Sequence, residues 1–422
     1  METEIKKAEQ ILKKYNQENT IELFKNLDTE KQAVLAKSIL NTDFDYVMDV
    51  FNTANQKKEV SSEGISPMQA AKKEDMTDIE REKYFELGKK VIQNNEYAVV
   101  TVAGGQGTRL GHSGPKGTFK VQTVNGEKYI FEILCEIMKE ANAKYAVEIP
   151  WYIMTSEENN SDTENFFKDH NYFGYNPNKI KFFKQSKMPL MTTDGKILID
   201  KDFKIKEASD GHGGIFNSMR KTGVINELEN NNVKWIFTCG VDNILVNMVD
   251  PYLVGLAIEK ICKIATRSLV KNSPGEKIGV LCKQGKKVKV IEYTELSEEM
   301  ANMTDDKGDL LYGESHVMFN LFSLDAIKQI STAKLPYHIA FKKNDYLDKD
   351  GKLVKAEAPN SYKFESFIFD SFELFDDIAI LRGKREDEFA PIKNATGNDS
   401  PETATNLYNN FWKGKTFTFR NY

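Results

Sequence analysis

Apolar residues near the start of the chain recur at helical spacing: Ile5, Ala8, Ile11, Leu12 and Tyr15 share one face, as do Ile79, Tyr84, Phe85, Leu87, Val91 and Ile92 further on. Thr77 and Glu80 are spaced as a capping box for the second of these helices, and Asn94 with Asn95 form a polar stop. Residues 55–75 are polar and poor in large apolar side chains, which predicts a connecting loop. The pattern therefore predicts a helical region over residues 1–95.

From residue 96 the period changes. An apolar run at 97–103 reads as a buried strand, and 151–154, 181–184 and 235–238 read as further strands that alternate with helical patterns. One of these is marked by Tyr129, Ile130, Ile133, Leu134, Ile137, Met138 and Ala141. Ser161 with Glu164 reads as a further capping box. Such alternation predicts an α/β fold with a mostly parallel sheet covered on both faces. Later strands are expected at 263–270, 278–281 and 288–291, and Gly285 between the last two suggests a hairpin, hence a mixed sheet. Residues 364–375 carry Phe364, Phe367, Ile368, Ser371 and Phe372 at helical spacing, read as a core-packed helix. Residues 395–422 are too few for an independent domain.

Ligands in open α/β sheets gather at the carboxyl ends of strands, so the residues there are the first candidates for a site. The first strand empties into AGGQGTRLGHSGPKG, where Gly104, Gly105 and Gly107 bare the backbone and Arg109 and Lys116 add two cations. That composition suits phosphate, since unobstructed N–H groups can converge on an anion. The loop matches neither G-x-x-x-x-G-K-[ST] nor G-x-G-x-x-G, and the glycines alone fit a plain strand-to-helix turn equally well. Asp210-Gly-His-Gly-Gly214 is a second stretch of bare backbone ahead of a short helix at 215–221.

Asp242 ends a strand, where a single carboxylate beside substrate phosphates would hold Mg²⁺; an Asx turn or helix N-cap is the alternative. Asp250-Pro251 is read as an N-cap followed by proline at the first helical position, with no chemistry. The run Arg385 to Lys393 reads on its own as a solvated loop.

Composition narrows the class without choosing a function. The formal charge of −5 speaks against broad nucleic-acid binding, and no nucleic-acid motif appears in the helical region 1–95. Cys135, Cys239, Cys262 and Cys282 are scattered in mostly apolar segments, as buried reduced thiols would be. No segment approaches the length of an apolar membrane span and the N-terminus has no signal-like apolar run, so a cytoplasmic protein with no membrane partner is expected. The oligomeric state is not encoded in any of these features.

Taken together, VAGGQGTRLGHSGPKG, MTSEENNSDTENFF, FFKQSKMPLM, ASDGHGGIF, CGVDNIL, YKFESFIFD and KREDEFAPIKNA resemble, in order, the UDP-sugar pyrophosphorylase family, and most closely its UDP-N-acetylhexosamine pyrophosphorylase branch. The resemblance implies a Rossmann-like nucleotidyltransferase domain at 96–394, preceded by the helical region 1–95 and followed by a short segment, 395–422. Eukaryotic members carry a further C-terminal domain in that last place. It implies UTP and N-acetylglucosamine 1-phosphate as substrates, with UDP-N-acetylglucosamine and pyrophosphate as products and Mg²⁺ as cofactor. A UDP-glucose pyrophosphorylase and a non-catalytic nucleotide-sugar binding protein are the alternatives.

By the same resemblance, Gly104, Gly105 and Gly107 cradle the nucleotide, Arg109 and Lys116 meet its phosphates, and Gln185 and Gly211 border the uracil. Asp242 holds the metal, Gly279, Glu292 and Tyr293 form the sugar wall, and Lys393 reaches the sugar phosphate. Two positions depart from the branch pattern. His212 stands where the branch has Asn, and Gly313-Glu-Ser-His-Val317 replaces N-A-G-N-I, which puts His316 at an amide position. Both fall on the sugar side.

Overall fold

The computed structural model describes residues 2–56 and 64–415. The chain forms two compact units: Met1–Glu59 with Ser186–Gly214 and Leu335–Phe367, and Val60–Gln185 with Ile215–Lys334 and Ile368–Tyr422. This partition does not follow a serial division at residues 95 and 394.

The larger unit is built on an 11-stranded sheet. In chain order its strands are β1 (Ile65–Pro67), β2 (Ala71–Lys72), β3 (Tyr97–Val102), β4 (Trp151–Thr155), β5 (Ile180–Lys184), β6 (Trp235–Gly240), β7 (Ile264–Val270), β8 (Val280–Gln284), β9 (Lys287–Ile291), β10 (Glu314–Ser323) and β11 (Ala379–Arg382). The main path runs β2-β11-β7-β10-β6-β3-β4-β5, and β8 pairs with β1, β9 and β10 off that path. Along the main path only β10 runs against its neighbours. The strands β3, β4 and β6 are apolar on both faces because helices cover both sides.

That arrangement matters for the site. The carboxyl ends of the parallel strands β3, β4, β5 and β6 all reach one edge of the sheet, and antiparallel β10 brings its amino end, with His316, to the same edge. The expected hairpin is present: β8 and β9 are antiparallel, and Gly285 between them has φ +60°.

Helix Asp78–Gln93 begins in the expected capping box, with Thr77 N–H donating to Glu80 Oε2 at 2.8 Å and Glu80 N–H to Thr77 Oγ1 at 3.2 Å. It belongs to the larger unit and packs on helix Pro251–Glu259 at backbone contact. A Cβ at Gly88 would lie 1.9 Å from the Pro251 carbonyl oxygen, and one at Gly255 would lie 1.9 Å from that of Tyr84. Asp250 caps the second helix through Tyr252 N–H at 3.0 Å, as expected. The C-terminal helix Pro401–Trp412 buries Ala404, Tyr408, Phe411 and Trp412 in the same core.

The smaller unit packs four helices, Glu2–Lys14, Glu18–Asn26, Thr29–Leu40 and Phe44–Ala54, against short antiparallel pairs. Leu12, Phe24, Leu35, Ile39 and Phe51 meet Met191, Ile199 and Phe364 in its core. A buried amide clips the two sequence segments together: Gln17 Nε2 donates to the Gly195 carbonyl at 3.0 Å and Gln17 Oε1 accepts from Ile197 N–H at 2.8 Å.

Several expectations need correction. Residues 1–95 are not wholly helical, because β1 and β2 join the main sheet; the loop expected at 55–75 is thus partly strand, and its residues 57–63 lie outside the described residues. Phe364 lies in strand Ser361–Glu365 and the helical turn starts later, at Ile368–Leu374. Pairing with His338–Lys342 overrides the helical spacing of those phenylalanines. The Ser161–Glu164 box does not form, since that helix already starts at Asn160.

Candidate active site

The glycine loop leaves β3 between β4 and β6. Asn159, fully buried, holds its first peptides: Nδ2 donates to the Ala103 carbonyl at 3.0 Å and the Gly105 carbonyl at 3.4 Å, while Oδ1 accepts from Ser156 N–H at 2.7 Å. In a trans peptide the next N–H points opposite to the carbonyl, so the N–H groups of Gly104 and Gln106 face away from Asn159. Among the described residues the N–H groups of Gly104, Gly105 and Gln106 have no hydrogen-bond partner. Three successive donors are left open at a strand end.

The rest of the loop closes on itself. Gly107 N–H donates to the Gly114 carbonyl at 2.9 Å and Lys116 N–H to the Gly105 carbonyl at 3.1 Å. The His112 ring fills the hollow inside this closure, with Nε2 2.7 Å from Thr118 Oγ1. Thr118 Oγ1 spends its proton on the Pro115 carbonyl at 2.8 Å, so His112 Nε2 is the donor to it. A Cβ at Gly107 would lie 2.8 Å from the His112 ring. Gly107 therefore makes room for His112, whereas Gly105 faces open space and a Cβ on Gly104 would lie 2.7 Å from Gln185 Oε1.

Gln185 follows β5 and its N–H donates to the Thr155 carbonyl at 2.8 Å; its side-chain amide has no partner among the described residues. Arg109 is exposed and Lys116 half-buried, and neither makes an ion pair or side-chain hydrogen bond among those residues. Cations unpaired among those residues, carried on the same loop as open N–H groups, are what an anion site needs.

Asp242 stands two residues past β6, and Val241 N–H donates to the Val102 carbonyl at 3.0 Å, which places this turn beside the glycine loop. Its carboxylate folds back over Gly240, where a Cβ would lie 2.6 Å from Oδ1, and has no partner among the described residues. No group of three or more His, Cys, Asp and Glu that could hold a metal is found among them. A lone unpartnered carboxylate suits a cation that takes its other ligands from phosphates and water.

Lys393 is half exposed, with Nζ 3.8 Å from Asp399 Oδ2. Gly279, Glu292 and His316 are brought together: the Gly279 carbonyl accepts His316 N–H at 3.0 Å, and a Cβ at Gly279 would lie 3.2 Å from Glu292 Oε1. Tyr293 is exposed. The His316 ring turns to Phe369 and Phe372, at ring-centroid distances of 5.5 and 5.6 Å, and Nε2 lies 2.9 Å from Asn320 Oδ1. Burial lowers its pKa to about 4 against an opposing contribution from the Asn320 hydrogen bond, so it is neutral at physiological pH.

Gly211 and His212 belong to the smaller unit. There the bare backbone of 210–214 is met by the chain itself. Gly211 has φ +84° and a Cβ on it would lie 2.3 Å from the Ser366 carbonyl oxygen, while His212 stands 5.3 Å from the Phe367 ring. Asn159 and His112 lie inside segments whose pattern points to the site, yet nothing in that pattern marks either residue. A polar residue that serves the backbone leaves no periodic signature.

The sequence pattern of the UTP--glucose-1-phosphate uridylyltransferase family matches residues 40–410. UDP-N-acetylglucosamine diphosphorylase 2 of Arabidopsis thaliana is 34% identical over 415 residues, covering 93% of this chain and 81% of that protein. UDP-N-acetylglucosamine pyrophosphorylase of Saccharomyces cerevisiae is 34% identical, covering 85% and 78% respectively. The crystal structure of the Trypanosoma brucei uridine diphosphate N-acetylglucosamine pyrophosphorylase in complex with an inhibitor is similar with a TM-score of 0.80 and 26% identity, covering 96% of this chain and 84% of that one.

Proposed function

The chain belongs to the UTP--glucose-1-phosphate uridylyltransferase family, and on that premise we propose that it makes UDP-N-acetylglucosamine and pyrophosphate from UTP and N-acetylglucosamine 1-phosphate. The observation that carries the nucleotide half is the row of N–H groups at Gly104, Gly105 and Gln106, open among the described residues, on the same loop as Arg109 and Lys116, which are unpaired among them. The sugar half rests on its relatives, which are named for N-acetylglucosamine.

The chemistry asks for little beyond positioning and charge. A sugar-phosphate oxygen, already anionic, attacks the α-phosphorus of UTP in line; the new P–O bond forms as the bond to the β-phosphate bridge breaks, and pyrophosphate leaves. No proton has to move, so no general base is required. Arg109 and Lys116 neutralise the triphosphate, Gln185 reads the uracil edge with its free amide, and Lys393 leaves Asp399 for the sugar phosphate. Gly279, Glu292 and Tyr293 border the sugar.

Asp242 fits Mg²⁺, being a carboxylate without a partner among the described residues, at the strand end beside the loop. When bound there, Mg²⁺ would supply neutralisation of phosphate oxygens. Among the described residues no helix is long and apolar enough to cross a membrane. The test is pyrophosphate release from UTP with N-acetylglucosamine 1-phosphate, N-acetylgalactosamine 1-phosphate and glucose 1-phosphate in parallel. Preference for the glucose substrate would replace this reading with that of a UDP-glucose pyrophosphorylase.

A further inference from the structure

Lys393 lies at the end of an irregular segment. After β11 ends at Arg382 the chain makes one short helix, Arg385–Glu388, and then runs on without regular structure to the lysine. A group that must meet a phosphate within a fraction of an ångström needs its support fixed by something else.

Asn243, next to Asp242 and only 3% exposed, supplies that support. Its Nδ2 donates to the Glu388 carbonyl at 2.7 Å, and its Oδ1 accepts from Ala390 N–H at 2.7 Å and from Leu245 N–H at 3.1 Å. The main chains add Ile244 N–H to the Ala390 carbonyl at 3.2 Å and Ile392 N–H to the Asp242 carbonyl at 2.8 Å, with Asn243 opposite Pro391 in an isolated antiparallel bridge. The Ala390 N–H makes no main-chain hydrogen bond across this pairing, so the ladder stops there. The amide of Asn243 stands in for it, using a donor and an acceptor at once, which neither Asp nor Ala can offer.

The far end of the segment is held by charge. Glu388 Oε1 lies 2.8 Å from Arg267 Nη1, and Arg267 Nη2 lies 2.6 Å from Asp250 Oδ2, with all three side chains at most 3% exposed. Segment 388–392 is thereby tied to segment 242–250 at both ends.

We propose that Asn243 is a positioning residue for uridylyl transfer: it locks the segment carrying Lys393 to the turn carrying Asp242, so that the lysine and the carboxylate keep a fixed separation. The proposal rests on the reading of Lys393 as the sugar-phosphate cation. Asn243 touches no reacting atom and acts through the lysine. Its loss should fall on kcat, because the nucleotide loop at Gly104 to Lys116 hangs from β3 and not from this segment.

A double-mutant cycle of Asn243→Ala with Lys393→Ala tests this. Asn243→Ala alone is expected to lower kcat by about 10- to 100-fold with the KM for UTP within about 2-fold. In the Lys393→Ala background the same substitution should cost less than about 2-fold, since the group it positions is already gone. Losses that multiply independently in the double variant would overturn the proposal. If Asn243→Ala does not fold, Asn243→Asp enters the same cycle; it keeps the acceptor for Ala390 and sets an oxygen against the Glu388 carbonyl. Wild-type turnover tests the reaction separately. Wild-type kinetics in Lys393→Ala alone would remove the lysine's role and this proposal with it, leaving the reaction assignment intact.

Discussion

The N–H of Ile392 donates to the carbonyl of Asp242 at 2.8 Å, so the residue before Lys393 is bonded directly to the carboxylate-bearing residue at the end of β6. Two groups that lie far apart in sequence are thus neighbours on one sheet edge. The glycine loop joins them there, because β3 and β6 are paired in register from Tyr97 opposite Trp235 to Val102 opposite Gly240. Cations, open N–H groups and a carboxylate are the elements that phosphoryl-group chemistry by charge neutralisation uses.

Lys116→Ala and Lys393→Ala are each expected to lower kcat/KM by on the order of 10²-fold, through lost stabilisation of charge in the transition state. Steady-state kinetics with both substrates varied would check this, and an unchanged value in either variant would remove that lysine from the mechanism.

Adjacent glycines in the loop should respond differently. Gly104→Ala forces a Cβ to within 2.7 Å of Gln185 Oε1, so the amide must shift and the KM for UTP should rise by roughly 10-fold. Gly105→Ala points its methyl into open space, so the melting temperature of the free protein should stay within a degree or two while UTP affinity falls. A destabilised Gly105→Ala protein with unchanged UTP affinity would contradict the assignment of that space to ligand.

Asp242→Asn should raise the Mg²⁺ concentration that gives half-maximal rate by about 10-fold or more, because the amide keeps the shape and loses the charge. Titration of rate against Mg²⁺ after chelator treatment reads this directly; the same half-maximal concentration in both proteins would remove Asp242 as the metal ligand.

Burial gives His316 a pKa of about 4, below its ordinary value of 6.5. The unfolded chain therefore takes up the proton first as pH falls, and stability present above 6.5 is lost progressively down to about 4. Between pH 7 and pH 5 this costs about 2 kcal/mol, at about 1.4 kcal/mol per pH unit. His316→Asn should remove that part of the slope in denaturant titrations at the two pH values. An equal slope in the variant would show that the ring is not buried neutral.

The strands of the sheet were legible because β3, β4 and β6 are buried on both faces and read as continuous apolar runs. The loop after β3 was legible because its glycines and cations are adjacent. Less could be read where structure depends on distant partners. Phe364 has helical spacing with Phe367 and Ile368, yet pairing with the strand His338–Lys342 decides its conformation. The bond of Gln17 to Gly195 and Ile197 joins segments that no local pattern connects. Asn159 and Asn243 each satisfy backbone groups of another segment, and a single buried amide has no period to announce it. The glycines at 211, 213 and 214 signalled close approach correctly, but the approaching groups belong to the protein itself: Ser366, Phe367 and Asp210.

The most direct test of the account is pyrophosphate release by the purified wild-type chain, with UTP and Mg²⁺, measured side by side for N-acetylglucosamine 1-phosphate and glucose 1-phosphate. Turnover is expected with a kcat/KM for the N-acetylated sugar at least about 10-fold above that for glucose 1-phosphate. Turnover favouring glucose 1-phosphate, or no pyrophosphate from either sugar, would contradict it.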